Sequence, residues 1–443
     1  MNHPSLSLQL PSLLKVALPM SLGAFIQFFV VFTDNLFVAQ LNGNAMSAVS
    51  YIGLCYITIG MITTGISSAI QIIIARRVGE DRQELINGIM RNGWLLGILI
   101  ALIQWSVLRF ALPPFLAENI QNEEIRNYMM GFLDYRQWGF WFYTPTAILL
   151  AYWSGIAKTR VILYTLLITS IGNIILDYWF IFGGWGISPM GASGAGLATT
   201  LAEMMGLLYL LIYSVNKAST HIHSLLRPYW SDTLLILKLG LPIVFQMLLA
   251  LGVWMAFYTL IESRGPASLQ SAFIVRNMYM LAWVSVMGFG SATRTYTSQL
   301  MAEKRWHDIK KLAWRVGLMN LAGILILSHG LWLYPEWITQ HFTQDPETTR
   351  LTLATMKIIL PAMIIYSFTS ILLAVVEGSG STMAGFWIEV ITSICYALSV
   401  YIMVKFTNWE VPILWMADYL YFIILGICSL AFLKYGKWKS KMI

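Results

Sequence analysis

Hydrophobic residues in this chain come in long runs, without the strict alternation of strands. A helix rises 1.5 Å per residue, so ~20 apolar residues cross a hydrocarbon core ~30 Å thick. Twelve stretches reach that length: 12–39, 45–75, 84–111, 125–154, 161–183, 191–215, 232–262, 267–302, 308–334, 350–378, 382–405 and 411–433. Several exceed the minimum, which predicts tilt or helical extension beyond the bilayer. Pro113-Pro114 is expected to end the third helix, and the polar run Glu118 to Arg126 to bridge to the fourth.

The pattern repeats. Leu14-Lys15-Val16-Ala17-Leu18-Pro19 returns as Leu237-Lys238-Leu239-Gly240-Leu241-Pro242, an offset of 223 residues (242 − 19). The same offset pairs Gly65 with Gly288, Ser68 with Ser291, Ala69 with Ala292, Glu80 with Glu303, Gly155 with Gly378 and Thr159 with Thr382. Each half holds about six spans, so both halves cross in the same sense, a parallel repeat typical of transporters. The expected organisation is an all-α integral membrane protein with a first lobe at 1–215, a polar linker at 216–231 containing His221, His223 and Arg227, and a second lobe at 232–443. The halves differ at three polar positions: Asp34 corresponds to Phe257, Asn173 to Tyr396 and Asp177 to Val400.

Composition agrees with the pattern. Of 443 residues, 58% are hydrophobic and 11% charged, against about 25% charged in a soluble domain. The net charge of +7 does not point to nucleic acid, because the basic residues sit in the connectors. Lys15, Arg76, Arg77, Arg82, Lys158, Arg160, Lys217, Arg227, Lys304, Arg305, Lys310, Lys311, Arg315 and the four tail lysines fall on one side, and only Arg126, Arg264, Arg350 and Lys405 on the other. The positive-inside bias makes the first side cytoplasmic, with both termini inside. The first run lacks the basic flank and cleavage site of a signal peptide and is expected to be a retained span. Cys55, Cys395 and Cys428 lie in apolar runs and imply no disulfide, and the six histidines form no HxxxH or HExxH. No nucleophile–base constellation is visible, so an enzyme is disfavoured, and the absence of a signature pore loop disfavours a channel.

Candidate chemistry lies in the few polar residues inside apolar runs. An Asp at a helix centre costs ~2.5–3.5 kcal/mol to insert, so Asp34 calls for a function; the competing reading is an Asp near the helix end that reaches the headgroups. Asn173 and Asp177 are spaced i, i+4 and share a helix face. Asp34 lies ~33 Å and Asp177 ~24 Å along inward-starting helices at 1.5 Å per residue, which places both in the outer half once tilt is allowed. Gln27 is seven residues before Asp34, on its face, and Glu203 is one turn past Thr199; both are candidates for a relay to the acids. Two acids in one desolvated pocket favour retention of a proton, and the same oxygens suit Na⁺. The competing reading for Asp177 is a polar lock to a neighbouring helix, and for Asn173 interhelical hydrogen bonding. Pro19 should kink the first helix, either as a hinge or as a static bend. Asp134 and Arg136, and Arg276, are expected to pair structurally; Glu377, the repeat partner of Ser154 beside a glycine near the inner surface, suits snorkelling, a lobe contact or substrate equally, and Glu389 and Asp418 carry no motif. Abundant Met, Trp, Tyr and Phe (23, 18, 21 and 22 residues) suit hydrophobic cations, although aromatics also belong at bilayer interfaces.

Together these residues resemble the MATE (multidrug and toxic compound extrusion) family. The carrying segments are Leu18-Pro19, Thr33-Asp34-Asn35-Leu36-Phe37-Val38-Ala39, Gly65-Ile66-Ser67-Ser68-Ala69-Ile70-Gln71, Ala75-Arg76-Arg77-Val78-Gly79-Glu80-Asp81, Gly155-Ile156-Ala157-Lys158-Thr159-Arg160, Asn173-Ile174-Ile175-Leu176-Asp177 and Met190 to Thr199. The resemblance implies twelve helices in two pseudo-symmetric six-helix lobes forming a V around a central cavity. It implies export of small-molecule drugs and xenobiotics from a monomer in the bacterial inner membrane. No cofactor is implied beyond a coupling ion, H⁺ before Na⁺. Asp34, Asn173, Asp177 and Thr199, with Thr200 adjacent, match the first-lobe cation site of DinF-like and archaeal members. The acidic positions that NorM-like members use in the second lobe fall here on Ala250 and Tyr366, so that site is expected to be absent. The alternative is a lipid-linked sugar or peptidoglycan-precursor flippase of the related superfamily, which would use Arg136, Arg276 and Arg294 for a diphosphate.

Overall fold

The computed structural model describes residues 7–184, 186–217, 229–441 and 443. Most of the expected linker, with His221, His223 and Arg227, lies outside the described residues. The first half forms α1 (Leu10–Ala39), α2 (Gly43–Gly79), α3 (Glu84–Ser106), α4 (Leu112–Asn119), α5 (Glu123–Arg136), α6 (Phe140–Gly155), α7 (Arg160–Phe182) and α8 (Ala192–Lys217). The second forms α9 (Trp230–Glu262), α10 (Pro266–Ala302), α11 (Asp308–Leu327), the short α12 (Gly330–Leu333) and α13 (Pro335–Phe342), α14 (Pro346–Gly378), α15 (Thr382–Phe406), the short α16 (Val411–Leu414) and α17 (Ala417–Tyr435). Ten helical stretches among the described residues are long and apolar enough to span a membrane. The fourth and ninth expected spans correspond to α5 with α6, and to α11.

Two expectations change. Pro113-Pro114 does not end the third helix: α3 passes through a π-helical stretch, Val107–Ala111, into α4. The prolines offer no N–H to the carbonyls one turn back, and the wider π turn absorbs that loss while they occupy the opening turn of α4. The fourth span is also not one helix, because the 3₁₀ turn Gln137–Gly139 separates α5 from α6.

The chain divides into two compact units, one of Leu22–Leu241 and one of Pro242–Ile443 together with the chain up to Ser21. The first packs Ile52, Tyr56, Phe132, Phe140 and Ala195 into its core. The second packs Phe257, Tyr279, Tyr396 and Trp415. Each also has an interior polar lock. In the first, Gln104 donates to the Ile59 carbonyl at 2.9 Å and accepts from Thr63 and Thr144 at 3.1 and 3.0 Å. In the second, Asn320 accepts from Ser285 and donates to the Ser367 carbonyl, both at 2.9 Å. Such bonds replace the hydrophobic drive that is missing between helices in lipid. Large apolar side chains also face outward, with Phe110, Ile212 and Ile326 each more than 60% exposed. A bilayer covers such surface; water would not.

Candidate functional site

The site grows from the α7–α8 hairpin. Its loop turns through Gly183 and Gly191, at φ +81° and +57°, the left-handed region glycine enters freely. Met190 N–H returns to the Phe180 carbonyl at 2.8 Å, and Gly191 N–H to Ile181 at 3.2 Å. Small residues then let α8 approach its neighbours. A Cβ on Gly194 would strike the Phe180 carbonyl, and one on Gly196 would lie 2.5 Å from the Phe132 carbonyl of α5.

This close approach brings Asn173 Nδ2 to 3.4 Å from Thr199 Oγ1, which itself donates to the Ala195 carbonyl at 2.9 Å. Thr200 faces the other way and donates to the Tyr135 carbonyl at 3.1 Å. Asn173 and Asp177 are fully buried. Asp34 of α1, in the same unit, brings its carboxyl within hydrogen-bond reach of the Asp177 carboxyl. Among the described residues, no hydrogen-bond donor is assigned to Asp34 Oδ1, Asn173 Oδ1 or either carboxylate oxygen of Asp177. Four acceptor oxygens are thus left unsatisfied in the interior of one unit. Buried acceptors in that state are costly, and a shared proton or a bound cation removes the cost.

Glu203 lies one turn beyond Thr199. It pairs with Arg136 through two bonds, 2.7 Å to Nη2 and 2.9 Å to Nη1. The guanidinium lies 3.5 Å over the Tyr56 ring, and Phe140 stacks on Tyr56 at 4.0 Å. A Cβ at Gly139 would lie 2.7 Å from Glu203 Oε2. Arg136 therefore does not pair with Asp134, which is exposed; residues i and i+2 do not face one another on a helix. Arg136 and Glu203 are both electrostatic neighbours of Asp34. Gln27 is exposed, away from the hydrogen-bonded cluster. Pro19 lies inside an unbroken α1.

In the second half, Tyr366 stacks on Phe422 at 4.4 Å. Three acids are buried there. Glu377 accepts from Arg294 at 2.9 Å and from Gln246 at 3.0 Å. Glu389 accepts from Ser393 at 3.2 Å and from the Tyr421 hydroxyl. Asp418 keeps one oxygen without a donor. Of the arginines a diphosphate would need, Arg136 and Arg294 are neutralised by Glu203 and Glu377, and Arg276 lies 5.5 Å over Tyr258.

Two helical units with a lipid-type exterior define a multi-span membrane protein. The MatE family model matches the chain twice, over residues 19–179 and 242–402, and the second match begins and ends 223 residues after the first. The chain belongs to the MATE family of multidrug efflux transporters. Similar curated proteins include a probable multidrug resistance protein NorM of Thermotoga maritima, 24% identical over 97% of this chain and 93% of that protein. Another is its namesake in Brucella suis, 24% identical over 71% and 69%. Among solved structures, the outward-facing conformation of a multidrug resistance MATE family transporter of the MOP superfamily aligns with a TM-score of 0.89 at 16% identity, covering 97% of this chain and 96% of that one. A MOP superfamily transporter from Pyrococcus furiosus aligns at 0.87 and 16% identity, covering 96% and 94%. These likenesses carry the fold.

Proposed function

We propose that this chain is a cation-coupled antiporter that exports hydrophobic, often cationic small molecules by alternating access, with Asp34 and Asp177 as the coupling carboxylates. The supporting observation is the donor-free cluster of Asp34, Asn173 and Asp177 oxygens beside Thr199. H⁺ is the preferred ion. One proton between facing carboxylates satisfies two acceptors at once, whereas a hard cation requires a complete oxygen shell. In this reading the site is of the DinF-like type and lies in the lobe 1–215, with a second lobe at 232–443. The protein works as a monomer in a bacterial inner membrane, with both termini cytoplasmic. Loading the pair with a proton removes its charge repulsion, and releasing the proton restores it. The two states differ in bonding along α1 and α7, which gives the ion a grip on conformation.

Ethidium efflux from energised cells, with and without Na⁺ and a protonophore, tests this. Export abolished by protonophore, indifferent to Na⁺, and lost in Asp34→Asn and Asp177→Asn is the expected result. Strict Na⁺ dependence changes the ion and keeps the site. Full export by Asp34→Asn moves coupling elsewhere.

A further inference from the structure

The 223-residue offset allows the second half to be searched at the place equivalent to the coupling cluster. Phe257 and Tyr396, the counterparts of Asp34 and Asn173, do meet, with ring centroids 6.0 Å apart. Trp415 closes on Phe257 at 5.0 Å. The equivalent place is thus aromatic, but it is not free of acid. Asp418 lies at the position equivalent to Ala195 (418 − 195 = 223), whose carbonyl takes the Thr199 hydroxyl in the first half.

We propose that Asp418 is a second proton-carrying carboxyl, seated in the C-terminal counterpart of the Asp34–Asn173–Asp177–Thr199 cluster. Asp418 is 3% exposed, and its Oδ2 has no donor. The indole N–H of Trp415, three residues earlier and 1% exposed, has no acceptor. The groups around the carboxyl come from every packed helix. Tyr396 of α15 directs its hydroxyl at it, and Tyr258 of α9, Tyr279 of α10 and Tyr366 of α14 lie within electrostatic reach. Arg276 lies 5.5 Å over the Tyr258 ring. Among the described residues no cation pairs with Asp418, unlike Glu377 with Arg294. A carboxylate so placed is isolated charge in an apolar core, while a neutral carboxylic acid fits. The walls are rings and hydroxyls, too few oxygens for a metal ion, so the ligand is a proton. Asp418 is the second residue of α17, at the helix's start, two positions from the half-exposed Met416.

The inference rests on proton coupling as proposed above and adds a third acid to it. The test is proton release on ethidium binding by the purified full chain in weakly buffered detergent, read with a pH dye. Asp418→Asn is expected to release about one proton fewer per bound ethidium than the wild type, and Asp418→Glu to restore it. Equal release from Asp418→Asn and wild type overturns the proposal. Should Asp418→Asn fail to fold, the double variant Asp34→Asn/Asp177→Asn, labelled with ¹³C at the aspartate carboxyl, gives the answer by infrared spectroscopy. A remaining protonated-aspartate band at neutral pH supports Asp418, and its absence overturns it. If the wild type releases no proton on binding, proton coupling fails, and the infrared band still decides whether Asp418 holds one.

Discussion

A buried arginine is tolerable only while its charge is answered. Arg136 is buried and paired with the largely buried Glu203, on Tyr56, in the first half. Removing one partner strands the other. Glu203→Gln should therefore destabilise the protein by about 3 kcal/mol, in the range found for broken buried pairs. The double variant Arg136→Met/Glu203→Leu should recover most of the loss, because two apolar groups of similar volume need no partners. Thermal unfolding in detergent measures both. A double variant no more stable than the single would mean that the pair holds the fold through its geometry rather than its charge balance. This pair was not legible in the sequence. Its partners are 67 residues apart on different helices, and nothing along the chain joins them. The spacing that was visible, Asp134 to Arg136, was the wrong one for a helix. Asn173 and Asp177 were legible because a helix itself sets i and i+4 on one face.

At the scale of elements, the cluster depends on how closely α8 approaches α7. Gly194→Ala places a methyl against the Phe180 backbone, which cannot yield as a side chain can. Over-packing of this kind costs ~1–3 kcal/mol. More important for function, it pushes Thr199 from Asn173, a contact already at 3.4 Å. Export by Gly194→Ala should fall while the protein still reaches the membrane. Gly53→Ala is the control, because a Cβ there meets nothing within 4 Å; its export should match the wild type. Equal export by both variants would detach the α7–α8 approach from transport. The spans themselves could be read from run length alone, since lipid imposes it. The break between α5 and α6 and the π-helical passage at Val107–Ala111 could not. Both depend on where individual carbonyls find donors, and hydropathy carries no record of that.

At the scale of the molecule, the repeat places a proline inside each of two equivalent helices, Pro19 in α1 and Pro242 in α9. A proline leaves the carbonyl one turn back without its helical donor, so α1 and α9 bend most easily at that turn. Pro19→Ala and Pro242→Ala should each lower export at normal surface expression. Wild-type export by both would remove the prolines from the transport cycle.

The number of ions moved per substrate is also fixed at this scale, and it decides what drives export. One H⁺ entering for one monovalent cation leaving carries no net charge. The membrane potential then contributes nothing, and each unit of pH difference supplies ~1.4 kcal/mol, a tenfold accumulation. Two protons per monocation move one net charge inward, and each 100 mV adds ~2.3 kcal/mol, roughly a further 50-fold. A chain with Asp34 and Asp177 facing one another, and Asp418 in the other half, has carboxyls for the second proton. In proteoliposomes with a fixed pH gradient, clamping the potential to zero with valinomycin and matched K⁺ should therefore collapse most of the ethidium accumulation seen at 100 mV. Accumulation that ignores the clamp would establish one-for-one exchange and leave the additional carboxyl without a part in coupling.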